Sequence, residues 1–384
     1  MSLAGIVPAL LGAGGDPALR SAVGDARTGA VTELDLTAPQ AMRPFVVASL
    51  AADPSREGAG RPVLAVTATQ REAEDLVAAL RCLLAPDEVV EYPAWETLPH
   101  ERLSPRSDTV GRRLAVLRRL VHPTSGDDPS SGPVRVVVAP VRSVLQPQVK
   151  GLADLRPVRV RAGDEVPLEE LVRGLAAAAY TRVDLVERRG EFAVRGGIVD
   201  VFPPTEEHPL RVDFWGDEVE EVRSFAVADQ RTLEVAEHGL WAPPCRELLL
   251  TDEVRARAAR LAGEQPQLTE MFDRLAHGTA VEGMESLAPV LVDEMELLVD
   301  LMPADTHVLV LDPERARSRA HDLVATSEEF LNASWAAAAG GGQAPVDLGA
   351  ASYHSLADVR GLALGQGKAW WSISPFGLDP DAGG

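Results

Sequence analysis

The stretch Glu187–Pro204, ERRGEFAVRGGIVDVFPP, decides how the chain is read. Apolar residues alternate with polar or small ones on both sides of Gly196-Gly197, the period of half-buried strands, and Pro203-Pro204 closes the second run. Alternation puts Phe192 and Val194 on one face and Ala193 and Arg195 on the other. Phe192 is therefore predicted to enter a core while Arg195 points to water or to a partner. The glycine pair permits a bulge or a positive φ that re-aims Arg195.

Working outward, RVDLVERR, LRVDFWG and DEVEEVRSFAV read as further short strands with tight turns, Gly216-Asp217 among them. In RVDLVERR, alternation turns Val183 and Leu185 inward and Arg182, Asp184, Val186 and Arg188 outward. With RPVRVRAGDEV and a helix at Leu168–Tyr180, these segments predict an α+β unit built on an antiparallel sheet over residues 151–240.

Both flanks read differently. After an Ala/Gly-rich helical start over 1–30 come the helix FVVASLAA, the buried strand RPVLAVTAT and an amphipathic helix at Arg71–Ala85. That helix places Ala73, Leu76, Val77, Leu80 and Leu83 on one face. The strand EVVEY, a helix at Thr109–Val121, the loop HPTSGDDPSSGP and the strand VRVVVAPV follow. Beyond the insertion stand helices at TDEVRARAARLAGE, LTEMFDRLAHG and SLAPVLVDEMELLVDLM. Then come the strand THVLVLD, a long helix at Pro313–Ala339 opened by its proline, the loop GGGQAP, and a last helix and strand, SLADVRGLALG and AWWSIS. Strands alternating with helices predict an α/β fold with a parallel sheet, its halves 1–150 and 241–384 flanking the α+β unit, and a frayed tail.

The 384 residues are 46% hydrophobic, with no uninterrupted apolar run of the ~20 residues a membrane span needs. The start MSLAGIVPALLGAGG lacks the basic opening of a signal peptide. Cys82 and Cys245 form neither a disulfide framework nor a zinc site, so a cytoplasmic protein is expected. A formal net charge of −21 argues against a main DNA-gripping role. The local basic clusters are Arg112-Arg113 with Arg118-Arg119, and Arg188-Arg189. The eight histidines show no metal-ligand spacing; His100, His122 and His208 lie beside prolines in loops. No G-x-S-x-G nucleophile motif occurs. Glu218, Glu220 and Glu221 read as a solvated strand face, Trp370-Trp371 as core, and Trp95 as a loop anchor.

GEFAVRGGIVDVFPP and the run Arg211–Glu234, RVDFWGDEVEEVRSFAVADQRTLE, resemble the segment of UvrB proteins, and of the UvrB-like front of the bacterial transcription-repair coupling factors (Mfd), that contacts UvrA. EYPAWETLPHERLSPRSDT, Glu91–Thr109, resembles the coupling factors more closely. The resemblance runs from about Leu36 to about Ala320 and implies a RecA-like domain interrupted by a UvrA-binding domain. It also implies that the ATP- and Mg-dependent DNA translocase and the RNA-polymerase contact belong to downstream domains. The region between Tyr92 and Thr109 is too short for the aromatic DNA-inserting hairpin of UvrB.

A RecA-like domain binds ATP through G-x-x-x-x-G-K-[ST], whose backbone N–H groups surround the phosphates. The equivalent stretch here is LTAPQAMRP, Leu36–Pro44, with Thr37, Ala41 and Arg43 where that motif would lie. It has no glycine and no lysine, and Pro39 and Pro44 lack N–H groups. The second nucleotide element should be an Asp-Glu pair closing a buried strand. Here Pro313 separates Asp312 from Glu314 and Arg315 follows, so Asp312 is predicted to cap the next helix instead. A degenerate nucleotide site follows, with no cofactor and no metal for this chain.

The candidate site is therefore a face for a partner. Arg195 falls on an arginine that UvrB-like proteins use to grip UvrA, with Phe192 beside it. Arg182, Arg188 and Arg189 join them by geometry alone. An ordinary solvated strand face is the plain alternative. The function expected is a non-catalytic module that recruits UvrA. The rivals are an internal clamp on other domains of the same protein and an active UvrB-type helicase.

Overall fold

The structure, a computed structural model, describes residues 3, 5–98, 103–124, 128–129, 131–264, 268–339 and 353–375, without the side chains of 330–339. His100, the loop GGGQAP, the tail after 375 and part of the loop 122–133 lie outside the described residues.

The first flank supplies β1 (Glu33–Thr37), β2 (Val63–Thr67), β3 (Val89–Glu91), β4 (Val136–Pro140) and the short β5 (Gln148–Val149). The insertion supplies β6 (Val158–Val160), β7 (Thr181–Arg182), β8 (Glu191–Arg195), β9 (Ile198–Val201), β10 (Leu210–Trp215), β11 (Glu218–Phe225), β12 (Thr232–Val235) and β13 (Leu240–Ala242). The last part adds β14 (Met295–Glu296), β15 (His307–Leu311) and β16 (Ala369–Ser374).

Six strands form one all-parallel sheet in the order β1-β16-β15-β2-β4-β3, so both flanks contribute to it. Every residue of β2, β4, β15 and β16 is buried, because helices cover both faces. On one face lie the helices Pro17–Thr28, Arg43–Ala51 and Gln70–Leu83; the last buries Ala73, Leu76, Val77, Leu80 and Leu83, the predicted stripe. On the other lie Ser107–Val121, Val141–Leu145, Leu356–Gly365 and the start of Pro313–Ala339. Trp370 and Trp371 are core residues, as expected.

At the edge of this core, His307 is 3% exposed, meets Trp371 edge-on at 5.0 Å, and has no hydrogen-bond partner for either ring nitrogen among the described residues. Burial, then the charge of Arg61, lowers its pKa from the ordinary 6.5 to about 4. Between those values the unfolded chain binds the extra proton, so stability falls as pH drops through 6.5 toward 4. The span between the two values sets an upper limit of roughly 3 kcal/mol, and relaxation around the charged ring leaves an expected loss of roughly 2 kcal/mol between pH 7 and pH 4. Urea titrations at the two pH values check this, and His307→Leu should remove that part of the slope.

The single helix expected over SLAPVLVDEMELLVDLM is not formed. A 3-10 turn at Met284–Leu287 leads into Ala288–Leu291, then β14 pairs with β5, and Leu298–Leu301 restarts the helix. The apolar residues serve different cores: Met284, Leu287 and Leu291 pack with Phe272, whereas Leu297, Leu298 and Met302 pack under the parallel sheet. Asp300 accepts from the Leu297 N–H at 2.8 Å and caps the restart.

The second sheet has the order β12-β11-β10-β9-β8-β7 and is antiparallel except for β7, which runs parallel to β8. The helix Leu168–Ala177 covers its inner face, where Phe192, Val199, Val201, Val212 and Val222 are buried. The reading of RVDLVERR needs correction. Only Thr181 and Arg182 are strand; Leu185 is 43% exposed and Val186 is buried. Parallel pairing demands a crossover instead of a hairpin, and the Glu191 carboxylate accepts the N–H groups of Glu187 and Arg188 to shape it. Val186 packs with Ala193, Phe202 and Phe225 in a small cluster on the outer face.

Candidate functional site

On the outer face of the second sheet, Arg195 stands opposite Ile198, and Ala193 opposite Asp200. Gly196, at φ +62°, makes the turn between β8 and β9. Asp200 is 1% exposed. Its carboxylate takes Arg195 Nη2 at 2.5 Å and Arg211 through Nε at 2.7 Å and Nη2 at 3.0 Å. Arg211 also lies over the Phe225 ring at 4.6 Å, and its hydrogen bond to Asp200 raises its pKa despite partial burial. A buried carboxylate costs free energy unless paired. Arg211 satisfies it from within, in bidentate fashion. The Arg195 side chain stays 49% exposed, with donors left over for a partner.

The other predicted residues divide. Phe192 is buried under the inner face, as alternation requires, so it supports β8 without reaching the surface. Arg182 is exposed but in register with Phe192, not on the face of Arg195 as expected. Arg188 is exposed in the crossover. Arg189 donates from Nε and Nη2 to the Glu206 carbonyl, at 3.0 and 2.8 Å, and covers the Phe202 ring at 5.0 Å. Sequence reasoning missed Asp200 and Arg211. The signal was an acid inside the apolar run IVDVF, which demands a cationic neighbour.

The Arg112-Arg113 cluster is not a surface patch. Arg113 is fully buried; its Nε meets Glu247 at 2.5 Å and its Nη1 donates to the Pro93 carbonyl at 2.9 Å. Its guanidinium lies over the Tyr92 ring at 4.2 Å, and Trp95 Nε1 donates to the same Glu247 at 3.1 Å. Trp95 is thus the loop anchor expected.

At the carboxyl ends of the parallel strands, Thr37 ends β1 and is exposed, as is Ala41 in the turn before the helix Arg43–Ala51. Arg43 is buried and reaches Asp312 at 3.4 Å. Asp312 also pairs with Arg315 at 3.8 Å, and Arg315 with Glu72. The crevice beside them, lined by Gln40, Arg43, Pro44, Thr67, Glu72 and Asp75, holds about 130 Å³. Small-molecule sites usually run to ~300–1,000 Å³. Asp312 precedes the helix as expected, yet at φ +57° it is not in the extended conformation of a side-chain cap, and its carboxylate turns to the arginines. Glu314 is exposed and pairs with Arg317. No group of three metal-ligating side chains occurs among the described residues, and no helix of theirs is long and apolar enough to cross a membrane.

The family model of the UvrB interaction domain matches residues 158–243, which hold the second sheet. Across an alignment that covers 89% of this chain, the sequence is 52% identical to the transcription-repair-coupling factors of Mycobacterium bovis and Mycobacterium tuberculosis. The chain corresponds to the N-terminal region of a transcription-repair-coupling factor. The match covers 28% of the length of those relatives. The coupling factor of Myxococcus xanthus is 34% identical over 70% of this chain and 23% of its own. UvrABC system protein B of Streptococcus agalactiae is 32% identical over 30% of this chain and 18% of its own. The coupling-factor likeness thus extends well beyond the UvrB-like core.

Proposed function

We propose that this region is a docking module that recruits UvrA through the outer face of its second sheet, and so links RNA polymerase stalled on damaged DNA to excision repair. The observation that carries the reading is Arg195: half-exposed, held by a buried Asp200 that Arg211 also neutralises, inside the stretch similar to the UvrB interaction domain. Arginine forks suit a partner's carboxylates, and charge steers the encounter. The module works without nucleotide. Arg43 pairs with Asp312 where phosphate and metal would sit. ATP-driven translocation and displacement of polymerase belong to the remaining length of the coupling factor.

Calorimetry of purified UvrA against this chain tests the proposal, beside an Arg195→Glu variant. We expect saturable binding for the wild type and a loss of about 30-fold or more for the variant, the scale of an interface hot spot of ~2 kcal/mol. Unchanged urea midpoints would show that folding is intact. No binding by the wild type at low salt would overturn recruitment and leave the internal clamp as the better account.

A further inference from the structure

Trp215 is 79% exposed, the most exposed large apolar side chain among the described residues. It ends β10, beside the turn at Gly216, φ +66°. Along β10 the buried residues are Leu210, Val212 and Phe214, so Trp215 shares the outer face with Arg211 and Asp213. The bulge between Asp213 and Phe214 falls on β11, where Glu220 is the extra residue, so the alternation of β10 is intact. The lateral row Arg195, Ile198, Asp213 fixes the geometry. Two strand spacings across and two residues along place Trp215 roughly 12 Å from Arg195. One partner footprint spans both.

The tip that carries the indole is held in place. Val166 N–H donates to the Asp217 carbonyl, and Gly163 and Val219 join the tip to the loop 163–166, at 2.8–2.9 Å. A bulky aromatic on a fixed backbone orders little on binding, and tryptophan and arginine are the commonest hot-spot residues. Glu218 pairs with Trp215 across the turn, and Asp217, Glu218 and Glu220 are all exposed. Such a rim repels a phosphate backbone, which argues against base stacking as the role of Trp215.

We propose that Trp215 is the apolar anchor of the face that carries Arg195. The partner it fits presents an apolar pocket rimmed by basic side chains, with a carboxylate about one strand-pair away to meet Arg195. This rests on the recruitment reading, and its occupant is the same UvrA surface. The test is calorimetry with UvrA on the whole chain, comparing wild type, Trp215→Ala, Trp215→Phe and Arg195→Glu, with a labelled single-stranded oligonucleotide as control. Support is a tenfold or greater loss for Trp215→Ala, partial rescue by Trp215→Phe, and unchanged urea midpoints, since the side chain is solvated. Wild-type affinity in Trp215→Ala together with loss in Arg195→Glu overturns the anchor but leaves recruitment standing. Failure of the wild type to bind sinks both. Oligonucleotide binding that Trp215→Ala removes overturns the anchor in favour of nucleic acid.

Discussion

Replacing Glu247 by alanine is expected to cost about 4 kcal/mol of folding stability, because it leaves the Arg113 guanidinium charged and unpaired in the interior. Burial alone pulls the Arg113 pKa down, but Glu247, with Tyr92, more than offsets it and leaves the group above its ordinary value. The pair bridges distant parts of the chain. Arg113 lies on the helix Ser107–Val121, whereas Glu247 follows the end of the insertion and also holds Trp95. Urea denaturation of Glu247→Ala should show a midpoint well below wild type. The double variant Arg113→Met, Glu247→Leu should recover most of the loss, since removing both charges takes away the desolvation cost together with the attraction. A double variant as unstable as the single one would refute this account and assign the cost to packing.

The burial of Arg113 also shows where sequence reading stops. TVGRRLAVLRRLV gives the helix correctly, since a helix follows from local periodicity. It cannot give the partner of Arg113, which lies 134 residues away. The parallel sheet was legible for the same local reason: runs such as VVVAP and HVLVL are apolar on both faces. The position of β15 and β16 between β1 and β2 was not, because strand order is fixed by long-range packing. At the candidate face, alternation correctly placed Arg195 and Phe192 on opposite sides. It failed for Arg182, Leu185 and Val186, where a parallel crossover replaces the expected hairpin. The charge that holds Arg195 came from Asp200, which looks like an intruder in an apolar strand until its two arginines are placed beside it.

Gly111→Val should cost about 3 kcal/mol, although a glycine inside a helix ordinarily gives way to other residues at a gain. Glycine in mid-helix is unfavourable by ~1 kcal/mol against alanine, so propensity alone predicts stabilisation on its removal. The tertiary contact reverses the sign. A Cβ at Gly111 would lie 2.4 Å from the Pro204 Cβ and 3.4 Å from its backbone. Pro204 closes the stretch that begins at Glu187, and the Ser107 hydroxyl holds the same region by donating to the Arg189 carbonyl at 2.8 Å. The helix and the insertion meet here at a distance that only glycine allows, and overpacking a closed contact costs ~1–3 kcal/mol or more. Gly111→Ala should lose less, about 1–2 kcal/mol, because its single methyl needs a smaller shift. Thermal melts of both variants would show the order wild type, alanine, valine. A rise in melting temperature for Gly111→Ala would mean that the insertion yields freely along this seam, and that the position of its docking face is not fixed by the contact with Pro204.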